Sequence, residues 1–208
     1  MVEIIKMSKL FGNYIFAGAT FFLIGIIGYG IAMHNQDYAI SVYNDYIMRQ
    51  VNPINEFSDI AKCAILFISN SIIGLTMILT GFVGAKLFKT SILPILTIMY
   101  NGFVLGVMFF MIGTRLPATA IALSLIPHGI FELSALFLCC AGGLYVAETM
   151  IGNPDLTVYT KKPLIDNSNI PLLIALKTYL CVMLPMFLVA AVVEIFISTQ
   201  ILKYMVGQ

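Results

Sequence analysis

The sequence contains no tryptophan, and only 10% of its 208 residues are charged. Soluble domains carry about 25% charged residues, so this composition excludes a fold that covers its surface with polar side chains in water. The net charge of +1 excludes the strongly basic surface that would indicate a nucleic-acid partner. Without tryptophan, tyrosine and phenylalanine must supply the anchors at any membrane interface.

Cysteine is also scarce, and no two cysteines have the CxxC spacing of a zinc or redox site. All four lie in apolar stretches, where cysteine behaves as a small hydrophobic residue. The pattern therefore does not indicate a disulfide framework. These residues are Cys63, Cys139, Cys140 and Cys181.

Long apolar runs are what the sequence has in abundance, with 60% hydrophobic residues and a mean hydropathy of +0.99. A helix needs about 20 apolar residues to cross a bilayer. The first run, Tyr14–Met33, has that length and no small-x-small cleavage site after it, so it predicts a retained span and not a signal peptide. Spans are expected at about 12–33, 60–82, 92–112, 118–150 and 172–197.

The fourth run is too long for one simple span, and Pro127 and Gly129 interrupt it. Proline removes a backbone donor and glycine weakens a helix, so the run predicts either one long kinked helix or a half-helix followed by a full span. The expected fold class is all-α. It is a polytopic transmembrane helix bundle of about five spans with one broken or re-entrant element, and six spans stay open. Residues 1–208 would form a single transmembrane domain, with 34–59 as an extracytoplasmic loop suited in part to an interfacial helix.

The lysine positions favour five crossings and a cytoplasmic N-terminus in the cell membrane, because basic residues concentrate on the cytoplasmic side. Lys177 can then reach the same side, whereas six crossings would move three lysines outside and remove the bias. The other basic residues placed inside by five crossings are Lys6, Lys9, Lys86, Lys89, Lys161 and Lys162. Those placed outside are Arg49, Lys62, Arg115 and Lys203.

Few polar side chains lie within the predicted spans, where each is costly. No deep lysine or arginine accompanies Glu132 and Glu194, so one or both are protonated, a cation lies between them, or they face water. We expect His128, Glu132 and Glu194, with Asn70 and Asn101 nearby, to converge on one interior site near the middle of the bundle. The first three are the candidate metal ligands, while the identity of any metal or cofactor stays open. The whole polar set is Asn70, Asn101, His128, Glu132 and Glu194.

His128 and Glu132 are four residues apart, the spacing that puts two side chains on one face of a helix. Pro127 would place them near a helix start, where free N–H groups and the helix dipole offset the cost of a carboxylate. The pair suits a hydrogen bond that holds helices together, an ion or proton pathway, or a metal site. A metal-dependent hydrolase has the least support, because the HExxH spacing is absent.

Glycines recur in three of the spans, where small residues let helix backbones approach closely. We interpret them as packing residues. A GxxxG pattern is frequent in membrane spans, so a homo-oligomer does not follow from it, and self-association or other membrane-protein partners stay open beside the lipid bilayer. These glycines are Gly74, Gly81 and Gly84 in the second span, Gly102 and Gly106 in the third, and Gly142 and Gly143 in the fourth.

Several segments together resemble the stage II sporulation protein M (SpoIIM) family. They are YNGFVLG at Tyr100–Gly106, IPHGIFELSALFLCCAGGLYVA at Ile126–Ala147 and VAAVVEIFIS at Val189–Ser198, with Asn70 in FISNS matching the family's asparagine in the second span. Two departures are mild: Ser134 stands where the family usually has proline, and the stretch Leu-Cys-Cys-Ala-Gly-Gly is less rich in alanine and glycine than usual.

The resemblance implies a non-enzymatic membrane scaffold or complex subunit. In spore-forming bacteria the family works at the engulfing septum with partners that remodel peptidoglycan, and it implies no enzymatic activity. The polar residues that match the family's motifs are the same five that stand out as polar side chains within the predicted spans. A transporter or channel that uses the Asn/His/Glu cluster is the alternative, and an intramembrane metal enzyme is a third hypothesis.

Overall fold

The computed structural model describes residues 2–46, 56–152 and 170–206, which are helical apart from short turns. The first five helices are α1 (Val2–His34), α2 (Gln36–Tyr46), α3 (Asp59–Val83, continued by a π turn at Gly84–Phe88), α4 (Ile92–Gly113) and α5 (Ala118–Gly152). Helix α6 comprises Ile170–Thr178, a π turn at Tyr179–Met183, Leu184–Val193, a second π turn at Glu194–Ser198, and Thr199–Val206.

Five of these helices, α1 and α3 to α6, are long and apolar enough to cross a bilayer, which confirms the predicted all-α bundle of five spans. At about 1.5 Å per residue, α4 is about 33 Å long, close to the roughly 30 Å of a hydrocarbon core. Helix α2 has 11 residues and is too short to span.

Helix α5 is the centre of the bundle. It is the most buried of the five spans and packs against α1, α3, α4 and α6. Helices α1 and α4 pair closely with each other, while α3 and α6 pack on α5 and on each other. Met77, Cys139 and Phe187 are fully buried in the core that α3, α5 and α6 share.

Of the two alternatives predicted for the fourth run, the structure shows the single long helix. Helix α5 has 35 residues with Pro127 inside it, and the half-helix break at Pro127 and Gly129 does not occur. Proline removes one backbone hydrogen bond, here the bond to the carbonyl of Leu123. A full break would leave several backbone groups without partners at a depth where water cannot replace them. The continuous helix is therefore the less costly arrangement.

Glycines allow two pairs of helices to meet backbone to backbone. A Cβ atom on Gly102 or Gly106 would overlap the backbone of α1, and one on Gly81 would overlap the carbonyl of Gly143 between α3 and α5. The GxxxG pattern of α4 thus lies in a contact within the chain.

Helix α2 packs on α4. Ala39 is fully buried there, and Tyr43 packs on the same surface. Arg115, in the turn after α4, lies over the Tyr43 ring at 4.9 Å from its centroid and donates to its hydroxyl at 3.3 Å. The remaining part of the predicted interfacial loop, 47–55, lies outside the described residues, as do Arg49, Lys161 and Lys162.

Candidate intramembrane polar site

Three of the polar side chains that the sequence singles out meet between α5 and α6. His128 and Glu132, one turn apart on α5, lie together with Glu194 of α6. One imidazole nitrogen and one oxygen from each carboxyl all lie within 4.8 Å of one another. These three residues form what we call the polar site.

His128 is the most deeply buried member, with 8% of its surface exposed. Its Nδ1 lies 2.9 Å from the Oγ of Ser198, a residue only 3% exposed. Ser198 is not among the polar residues that the sequence pattern singles out. A signal was present, because Ser198 follows Glu194 by the same four-residue step that separates His128 from Glu132.

Helix α3 supplies a third side. Asn70 lies beside the Glu132 carboxyl, and both side chains are half-buried. The buried thiol of Cys63, two turns earlier on α3, is close enough to Glu194 to interact with it electrostatically. The site thus joins side chains of three helices, and Cys63 is a neighbour that the sequence analysis treated only as a hydrophobic residue.

Asn101 has a different partner. Its side-chain amide donates to the carbonyl of Thr97, one turn earlier in α4, at 2.9 Å. Such a bond to the backbone of the same helix is a local option for polar side chains. Within the described ranges no hydrogen bond joins Asn101 to the polar site, whereas Asn70 lies beside Glu132.

Neither carboxyl of the polar site pairs with a lysine or arginine among the residues that the structure describes. The ion pairs in those residues are Lys9 with Glu148 at 2.9 Å and Lys62 with Asp59 at 3.7 Å. In the same residues no hydrogen bond joins His128 to either carboxyl, and its Nδ1 is paired with Ser198. The chemistry available is that of two acidic groups and one imidazole, which can bind a proton or a cation.

The polar site lies within the hydrocarbon depth of the bundle. At about 1.5 Å per residue, Glu132 is about 21 Å along α5 from Ala118 and about 30 Å from Gly152. It lies within a continuous helix and not at a helix start. The free N–H groups expected beside it from the sequence are therefore engaged in the helix, and its polar partners are side chains.

Comparison with known proteins identifies one family. The model of SpoIIM, described as stage II sporulation protein M, matches residues 15–199. This range contains the whole polar site together with Ser198 and Asn70. No curated protein and no solved structure matches the chain.

Proposed function

The chain belongs to the SpoIIM family, and from this premise we propose that it is a non-enzymatic scaffold or subunit of a membrane complex. The observation that carries the proposal is the pairing of polar groups between helices. His128 with Ser198 joins α5 to α6, and the Tyr179 hydroxyl with the Ser71 carbonyl joins α6 to α3. Hydrogen bonds of this kind stabilise helix association by roughly 0.6–2 kcal/mol each, so they support a fixed bundle.

The outer surface supports the same proposal. Large apolar side chains stand out along α1, among them Phe11, Phe22 and Ile26, which are 64%, 53% and 71% exposed. A bundle whose interior is held by small residues and polar pairs can present such a surface to lipid or to a partner subunit without changing shape. We place the protein in the cell membrane, with its N-terminus in the cytoplasm.

The alternative is a transporter or channel for protons or cations. It is favoured by one observation, the two carboxyls that converge within the membrane without a basic partner among the described residues. Ionisable residues within spans commonly mark proton relays and ion pathways.

The variant Glu132→Gln separates the two proposals, because glutamine keeps the size and hydrogen bonding of the side chain but cannot be ionised. Purified protein in liposomes that enclose a pH-sensitive dye reports proton flux, and a deletion strain of the host that carries the variant reports function. Glu148→Gln is the matched control, since Glu148 lies on the same helix and outside the polar site.

A scaffold gives flux no greater than empty liposomes, and Glu132→Gln restores function in the deletion strain as well as Glu148→Gln does. Flux in wild type that disappears in Glu132→Gln and persists in Glu148→Gln, with all three proteins folded, would instead establish the transporter.

A further inference from the structure

We propose that His128, Glu132 and Glu194 hold one divalent transition-metal ion between α5 and α6. The proposal begins with geometry: one potential ligand atom from each residue lies within 4.8 Å of the other two. Metal bonds to imidazole nitrogen and carboxylate oxygen are about 2.0–2.2 Å long, so ligand atoms around one ion lie roughly 3.3–4.4 Å apart. Small changes in side-chain rotation bring the three atoms to that spacing.

The hydrogen bond between His128 and Ser198 orients the imidazole as a metal ligand would be oriented. A histidine that binds a metal through one ring nitrogen almost always donates its other N–H to a neighbouring oxygen. The His128 Nδ1 lies 2.9 Å from the Ser198 Oγ, and in the tautomer in which Nδ1 donates this bond, the lone pair of the imidazole is on Nε2 and free for a metal. Both His128 and Ser198 are more than nine-tenths buried, so the packing restricts the ring to this orientation. Ser198 is then a positioning residue for the metal ligand.

The charge of the two carboxylates also favours a bound cation. Two carboxylates bring two negative charges to a membrane interior, where no described lysine or arginine pairs with them. A divalent ion makes the group neutral and removes the main cost of ionised side chains at that depth. Asn70, within reach of Glu132, can hold the carboxylate in place as a ligating carboxylate requires.

The types of ligand limit which metal the site would bind. Magnesium and calcium prefer sites made of oxygen ligands alone, whereas an imidazole with carboxylates suits Zn²⁺ and related transition metals.

The local backbone of α6 is also unusual at the polar site. Glu194 begins a π turn of α6 that ends at Ser198, and single π turns often occur at functional sites. The ion would join α5 to α6, and this inference does not depend on whether the protein is a scaffold or a transporter.

The test uses the full chain in detergent after treatment with a chelator. Zn²⁺ is added back, metal content is measured by mass spectrometry after gel filtration, and thermal unfolding is followed with and without the ion. We expect one Zn²⁺ per chain and a higher unfolding temperature, since a ligand of the folded state stabilises it. Mg²⁺ at the same concentration should have little effect.

Four variants make the test specific. Glu132→Gln and Glu194→Gln should lose measurable Zn²⁺ binding, and Glu148→Gln should bind as wild type does. Ser198→Ala keeps all three ligands and should weaken binding about 10- to 100-fold, the usual effect of losing a partner of a ligating histidine. This variant keeps the proposal testable if a glutamate variant does not fold.

Two results of the binding measurement would overturn the proposal, and one result of the stability measurement would do the same. One is the absence of Zn²⁺ binding by folded wild type. The other is binding that Glu132→Gln, Glu194→Gln and Ser198→Ala leave unchanged, which would place the metal elsewhere on the chain. A stability that varies with pH but not with Zn²⁺, and that loses this dependence in Glu132→Gln, would also reject the metal in favour of a shared proton.

Discussion

Tyr179 shows how a single polar atom can join two spans. Its ring is buried, with 4% exposed, and its hydroxyl donates to the carbonyl of Ser71 at 2.6 Å, linking α6 to α3. Tyr179→Phe removes this bond and keeps the ring. We expect the free energy of unfolding to fall by about 1 kcal/mol, measured by denaturation in mixed micelles.

Tyr204→Phe is the control for this variant, because Tyr204 is 86% exposed and should change the stability little. Equal stability of Tyr179→Phe and wild type would show that the bond contributes nothing measurable to the fold.

The four polar residues that meet at the site could be selected from the sequence at the level of single residues, because the cost of a polar group in a membrane depends on its chemistry alone. Ser198 and Tyr179 were not found in this way. Serine and tyrosine are common in spans, and their importance here comes from partners that lie 70 and 108 positions away in the chain.

At the scale of elements, the contact of α3 with α5 depends on glycine. A Cβ atom at Gly81 would overlap the Gly143 carbonyl, and that backbone cannot move aside as a flexible side chain could. Gly81→Ala should therefore lower the free energy of unfolding by about 1–3 kcal/mol, the usual cost of overpacking. The same denaturation measurement checks it.

Gly30→Ala is the matched control, because nothing lies within 4 Å of the position that its Cβ would occupy. Alanine favours a helix over glycine, so this variant should be neutral or slightly stabilising. If both variants behave alike, close approach of α3 and α5 is not what requires glycine at position 81.

The sequence analysis foresaw the use of these glycines in packing but not which helices they join. For α5, one long helix was one of the two predicted alternatives, and the break at Pro127 and Gly129 was the wrong one. The low helix propensity of proline in water overstates its tendency to break a helix in lipid. In lipid, the alternative to a continuous α5 is a longer stretch of backbone without hydrogen-bond partners.

For the whole molecule, five crossings put the α3–α4 turn, the end of α5 and the start of α6 at the same end, and the α1–α2 turn at the other. With the N-terminus in the cytoplasm, Thr90→Cys and Asn167→Cys should be protected from an impermeant maleimide in intact cells. Gln36→Cys should react. The wild-type chain, whose described cysteines all lie within spans, measures the background.

Labelling of Asn167→Cys together with protection of Thr90→Cys would contradict five crossings. Labelling of both, with Gln36→Cys protected, would keep five crossings and reverse the orientation that the lysines favour.

The sequence by itself determined that this is a membrane protein of several helical spans, with five favoured over six, and which side chains are costly within them. Both properties follow from local composition, since transfer into lipid is governed by the chemistry of each residue and a helix satisfies its own backbone. Only the tertiary structure decided that His128 pairs with Ser198 and that Asn101 bonds to its own helix. It also decided that α5 is continuous. These outcomes depend on the rotation and register of helices distant in the chain, which residue spacing within one helix does not specify.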